Sequence, residues 1–148
     1  MVSSAQHKGF TLIELIVVIS IVAILLLMTL PSYHRQLINI RRSLGGAELM
    51  NVMLRQEQYF IEHKRYAKNL LDLGFRASPY AIDADGTEVS LMAKSRVYLI
   101  DLTTKKYYYT LYAKPQLSQV EDHLCATLTL NSLGIKSAMG AGPPLSCW

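Results

Sequence analysis

Residues 1–33 read MVSSAQHKGFTLIELIVVISIVAILLLMTLPSY. A polar leader ends at Lys8-Gly9, and an apolar stretch from Phe10 to Leu30 follows, holding one carboxylate, Glu14. These 21 residues rise about 31 Å as a helix at roughly 1.5 Å each, enough to cross the hydrocarbon core of a bilayer. A secretory signal has its cleavage site downstream of its apolar core. Here the small residue, Gly9, precedes that core, so a cut after it removes the charge and keeps the helix. The product is anchored, not released. Lys8 lies on the N-terminal side, and the positive-inside rule puts that end in the cytoplasm and the bulk of the chain on the far side.

The leader followed by GFTLIEL (Gly9 to Leu15) resembles the start of the type IV prepilins. That resemblance implies cleavage between Gly9 and Phe10 by a prepilin peptidase, N-methylation of the new Phe10 amine, and a role for Glu14 in filament assembly. Glu14 also needs a physical cause, because a carboxylate at the centre of an apolar helix costs about 2.5–3.5 kcal/mol on insertion scales, and less near an end. One reading is a charge tolerated at the interface. The other, which the resemblance favours, is an ion pair with the Phe10 amine of a neighbouring subunit, so that neither charge is buried alone.

The 148 residues allow one domain plus a helical stalk. The net charge is +4, and removing Lys8, the leader's one charged residue, leaves +3. Acidic and basic residues are interspersed, so this mild excess does not demand nucleic acid. Cys125 and Cys147 have 21 residues between them. On the far side of the membrane disulfides persist, and a bridge here contributes roughly 3 kcal/mol on the chain-entropy model. Two free thiols or half a metal site are the alternatives. No CxxC pair occurs, and His7, His34, His63 and His123 show no ligand spacing, so no metal or other cofactor is expected.

Along the chain, Pro31 is expected to interrupt the helix. Beyond it Leu37, Ile40, Leu44, Ala47, Met50 and Leu54 recur at steps of three and four, as a stripe that packs on a globular head. Gly45-Gly46 weakens that helix by about 1 kcal/mol per glycine, and its end is expected near Glu62 to Lys64. Residues 67–90 read as a connecting region rich in turn formers. Strands are expected at Arg96–Thr103, Tyr107–Ala113, Cys125–Leu130 and Ile135–Ala138, with a turn at Thr103–Lys106. The expected architecture is α+β: a long N-terminal helix on an antiparallel sheet of three or four strands, with a C-terminal disulfide loop. Its expected parts are leader 1–9, membrane half-helix 10–30, head-packing half-helix 31–64, and β head 65–148.

RQEQYFIEHKRYA (Arg55 to Ala67), YTLYAKP (Tyr109 to Pro115), CATLTLNSLG (Cys125 to Gly134) and the terminal CW resemble the PilE-type minor pilins of type IVa systems. The resemblance covers most of the chain; the stretch from Leu70 to Ser95 carries no diagnostic residues. It implies a low-abundance subunit that primes or links filament assembly. The partners so implied are other pilins along the N-terminal helix, the peptidase and methylase, and the inner-membrane assembly platform. The implied path runs from the bacterial inner membrane to an extracellular pilus.

The alternatives are a major pilin or a secretion pseudopilin, though the cysteine pair favours a pilus. Glu57, Tyr59, Phe60, Arg65 and Tyr66 are expected to anchor the helix end on the sheet. Lys105 and Lys106 before Tyr107, Tyr108 and Tyr109 combine charge with stacking surfaces, as single-strand binders do. A plain lysine-rich hairpin turn is the commoner use of such residues; the alternative of another class is a DNA-binding pilin for natural transformation, against which the scattered cations argue weakly. No triad order or glycine-rich phosphate loop is present, so no enzymatic activity is expected.

Overall fold

The computed structural model describes residues 10–148; residues 1–9, and with them the expected leader and Gly9, lie outside the described residues. Helix α1 spans Leu12–His63, and the chain divides into two compact units after Gln36. Pro31 does not end the helix. A proline's fixed φ is compatible with a helix, so the lost donor and the ring's clash with the carbonyl one turn back do not by themselves end it. The helix ends at His63, as its expected end near 62–64 requires. Lys64 then takes φ 57°, the left-handed value that closes a helix C-terminus.

In the first unit, the apolar side chains from Leu12 to Leu27 are exposed. In the second, the face of α1 turned to the core is Gly45, Gly46, Leu49, Val52 and Gln56. This corrects the expected stripe. Ile40, Ala47, Met50 and Leu54 lie on exposed positions, and of that stripe only Leu44 packs on the core cluster. The true inward face carries two glycines and a glutamine, which a search for large apolar residues passes over. A Cβ at Gly45 would stand 3.0 Å from Cε2 of Tyr98, so glycine is what lets α1 approach the sheet so closely.

The sheet has six strands in the order β2-β1-β3-β4-β5-β6, all pairs antiparallel. They are β1 (Tyr80–Ile82), β2 (Glu88–Val89), β3 (Tyr98–Thr104), β4 (Tyr109–Pro115), β5 (Leu128–Asn131) and β6 (Lys136–Ala138). The expected three or four strands are therefore corrected to six. The extra hairpin β1–β2 lies in the supposed connecting region. Tyr80, Ala81 and Ile82 are all buried, so β1 shows no alternation to read. The turn formers close the hairpin, with Asp83 Oδ1 accepting from the N–H groups of Asp85 and Thr87, both at 3.0 Å.

Thr103 and Thr104 pair within β3, and the turn falls at Lys105–Tyr108 instead. β5 starts at Leu128 and not at Cys125, because Ala126 adopts φ 49°, which no strand continues through. Tyr98 and Ile100 of β3, Tyr109, Leu111 and Ala113 of β4, and Leu128 and Leu130 of β5 point into one core against Leu49 and Val52.

Three core tyrosines have polar tips met by the helix or its neighbours. The Tyr80 hydroxyl donates to Glu48, and the Tyr109 hydroxyl donates to Glu57 at 3.0 Å. The Tyr98 hydroxyl accepts from Gln119 Nε2 at 3.1 Å. Burial first, and then the carboxylate partners, push the Tyr80 and Tyr109 hydroxyls well above their ordinary value. Burial pushes Tyr98 up to about 12.

A raised folded value means that folding holds the proton more tightly. The stability this supplies is complete below the unfolded value of about 10 and is lost as pH rises through the folded one. The unfolding midpoint of the head is therefore expected to hold from neutral pH to about pH 9 and to fall between about pH 10 and 12. Tyr98→Phe should make that fall shallower. Circular dichroism melts run alongside tyrosinate absorbance check it; ionisation of all nine tyrosines with the fold intact would sink the assignment.

Candidate functional site

At the chain's helical start, Phe10 is 81% exposed and precedes the first helical residue, Leu12. The Glu14 N–H donates to Thr11 Oγ1 at 3.3 Å, so Thr11 caps the helix. Glu14 then holds the third helical position, where the carboxylate of a capping box sits. This second use of Glu14 was legible as Thr-x-x-Glu but was not part of the sequence reading. Glu14 is exposed, and among the described residues it has no ion-pair partner.

At the other end of the chain Cys125 and Cys147 form a disulfide. The tail is held by more than this bridge. Gly140, Ala141 and Gly142 donate N–H bonds to the carbonyls of Cys125, His123 and Leu124. A Cβ at Gly140 would stand 2.2 Å from the Leu124 carbonyl oxygen, so only glycine fits there. Trp148 lays its ring 3.5 Å from the Cβ position of Gly46 and donates its indole N–H to Ser137 at 2.9 Å.

Below the bridge Arg42 grips Asp122 in a two-pronged ion pair, Nε to Oδ2 at 2.7 Å and a second nitrogen to Oδ1 at 2.8 Å. The Asp122 side chain is 1% exposed, and its Oδ1 also accepts the Cys125 N–H. That hydrogen-bonded carboxylate holds the Arg42 guanidinium above its ordinary value, against the opposing effect of burial. The sequence reading missed this pair, because 80 residues separate its members.

Lys105 and Lys106 head the β3–β4 turn, and the fold does not leave them alone. Buried Gln56 clamps Ala67 like a strand partner: the Ala67 N–H donates to Oε1 at 2.9 Å, and Nε2 donates to the Ala67 carbonyl at 3.1 Å. The Thr104 hydroxyl donates to the same carbonyl at 2.8 Å. Tyr66 packs edge-on against Tyr109 at 4.7 Å, with Phe60 on it at 4.8 Å, as the expected aromatic anchor requires. Burial, more than the nearby Glu57, raises the Tyr66 hydroxyl.

These contacts fasten the segment 64–68 beside the turn. Arg65, Lys68, Lys105 and Lys106 then line one open cleft of about 450 Å³ together with Tyr66 and Thr104. Among the described residues none of the four cations is ion-paired. The reading of scattered cations is thus corrected for this end of the head: two short basic runs some forty positions apart converge. Tyr107 and Tyr108 stay 74% and 50% exposed beside them, while Tyr109 goes into the core.

Residues 31–129 match the family described as "Type IV minor pilin ComP, DNA uptake sequence receptor", and residues 4–30 match the prokaryotic N-terminal methylation motif. The type IV wide pilus major component PilA4 of Thermus thermophilus is 36% identical over 75 residues, 49% of this chain and 57% of that protein. The type IV major pilin PilA of Myxococcus xanthus is 30% identical over 70 residues, 47% of this chain and 32% of that protein. The competence protein ComGC of Bacillus subtilis is 36% identical over 69 residues, 46% of this chain and 69% of that protein. The chain thus spans less than two thirds of the length of the first two.

A solved type IV pilin from Shewanella oneidensis has a TM-score of 0.46 at 19% identity, over 74% of this chain and 97% of that one, a likeness too loose to carry an inference. Extended family matches to both the helix start and the head leave one conclusion: the chain belongs to the type IV pilin family, in the group described as the minor pilin ComP.

Proposed function

We propose that the chain is a minor structural subunit of a type IV pilus, with no catalytic role of its own. The observation that carries this reading is the exposed apolar helix from Leu12 to Leu27 with Glu14 in its first turn. Such a surface needs a bilayer first and neighbouring helices later. The precursor is held in the inner membrane by residues 10–30, with the head on the far side. It is cut between Gly9 and Phe10, methylated on Phe10, and handed by the assembly platform to a filament of other pilins. Residues 31–64 continue the helix into the head at 65–148.

The minor role rests on the family description and on the PilE-type motifs; two of the matched relatives carry names of major components. Mass spectrometry of sheared filaments tests both parts. The expected mature chain begins at methylated Phe10 and is a trace component beside a bulk pilin. A different N-terminus, or this chain as the bulk subunit, would overturn the corresponding part.

A second reading is DNA capture. The family description names a DNA uptake sequence receptor, and the basic cleft at Arg65, Lys68, Lys105 and Lys106 is the feature of this chain that favours it.

A further inference from the structure

We propose that residues 117–124 form a membrane-contact face: while the subunit is held in the inner membrane, Leu117, Val120 and Leu124 dip into the headgroup layer of an anionic phospholipid leaflet. The inference rests on the membrane-held precursor proposed above and is independent of the basic cleft.

The segment is built inside out. It opens with a short 3₁₀ turn, Leu117–Glu121, and runs on to the bridged Cys125. Gln119, Asp122 and Cys125 are buried, whereas the large apolar residues between them lie outward: Leu117 is 46% exposed, Val120 51% and Leu124 64%. The polar residues are inside because they fasten the segment to its neighbours. Gln119 Nε2 donates to the Ile38 carbonyl and to the Tyr98 hydroxyl, both at 3.1 Å. Asp122 receives Arg42 and the Cys125 N–H. Those bonds leave the apolar side facing out. Exposed large apolar residues on a segment whose polar residues are buried mark an interaction surface.

Two features name what covers it. The first is where the segment is tied. Ile38 stands eight residues beyond Leu30, the last residue of the apolar stretch. Eight residues rise about 12 Å in a helix and span at most about 29 Å fully extended, so the chain itself keeps this tie close to the bilayer. The second is charge. Arg41 donates from a guanidinium nitrogen to Ser118 Oγ at 3.0 Å, a neutral partner that leaves the positive charge in place beside Leu117. Apolar side chains edged by a cation are what an interfacial segment uses, with the first in the acyl boundary and the second on phosphates.

The test uses the full processed chain in vesicles containing phosphatidylglycerol, with a fluorophore on one introduced cysteine at a time. The native pair is bridged and takes no label. Val22→Cys reports the anchor, Val120→Cys the proposed face, and Met92→Cys an exposed site outside the segment. Lipids carrying a nitroxide near the headgroup supply the quencher. The labels at 22 and 120 are expected to be quenched, and the label at 92 at least threefold less. Leu117→Ser with Leu124→Ser should lower the ratio of docked to free face at 120 about tenfold. Arg41→Gln should lower it about fivefold, in anionic vesicles and not in zwitterionic ones.

Equal quenching at 120 and 92, or quenching at 120 that survives the double serine change, would overturn this contact. So would a label at 120 shielded from aqueous iodide yet out of reach of the lipid quencher, which would put a protein neighbour on the face instead. In each of these outcomes quenching at 22 leaves the anchored precursor standing; an unquenched label at 22 would overturn both.

Discussion

Asp122→Ala is expected to cost the head about 3–5 kcal/mol, the usual effect of removing one partner from a buried, hydrogen-bonded ion pair. Domains of this size hold about 5–15 kcal/mol in total. The carboxylate is almost wholly buried and answers three donors at once, two from Arg42 and the Cys125 N–H. Without it the Arg42 guanidinium remains charged on the inward side of α1 with no acceptor, and the backbone turn that delivers Cys125 to its bridge loses its tie. Asp101→Ala is the control. Its pair with Lys114 is as short, at 2.6 Å, but the two side chains are 30% and 42% exposed. Solvent screening should keep that loss within about 1 kcal/mol. Urea midpoints of the two variants beside the parent decide it; equal midpoints for Asp122→Ala and Asp101→Ala would show that burial is not what gives the Arg42 pair its weight.

The largest functional effect is expected at Glu14. Glu14→Ala makes the helix more apolar, so membrane levels should hold or rise. Entry into filaments should fall to near nothing, because the Phe10 amine of a neighbour then meets no counter-charge, at a cost of about 3–5 kcal/mol per subunit. The capped helix start offers a rival cause, since alanine also removes the third-position carboxylate opposite Thr11. Glu14→Gln separates the two. Glutamine can serve a capping box but cannot neutralise an amine. Membrane and sheared-filament fractions, blotted for each variant, give the answer. Filaments that take up the glutamine variant fully would transfer the role of Glu14 from ion pairing to capping.

The family, the apolar helix and the helix end were legible because each is written in adjacent residues. The polar residues before Gly9 abut the apolar stretch, the aromatic run from Tyr59 to Tyr66 marks the helix end, and β3 and β4, seven residues each, alternate over their first four and six positions. The expectation failed where the signal was short or the buried residue was of the wrong kind. β1 is three residues buried on both faces. The inward face of α1 uses Gly45, Gly46 and Gln56, and the apolar residues counted in their place, Ile40, Met50 and Leu54, stand outside.

What the sequence by itself determined is therefore what depends on local order along the chain: a membrane-length apolar helix with one carboxylate, the end of that helix, and strands long enough to show a period of two. Only the tertiary structure decided which face of α1 is inside, because that depends on how closely Tyr98 and Trp148 approach two glycines. It alone joined Arg42 to Asp122 and brought Arg65 and Lys68 to Lys105 and Lys106. Charges far apart in sequence become one site only when a buried contact, here Gln56 on Ala67, fixes the two segments side by side. No pattern of neighbouring residues encodes that distance.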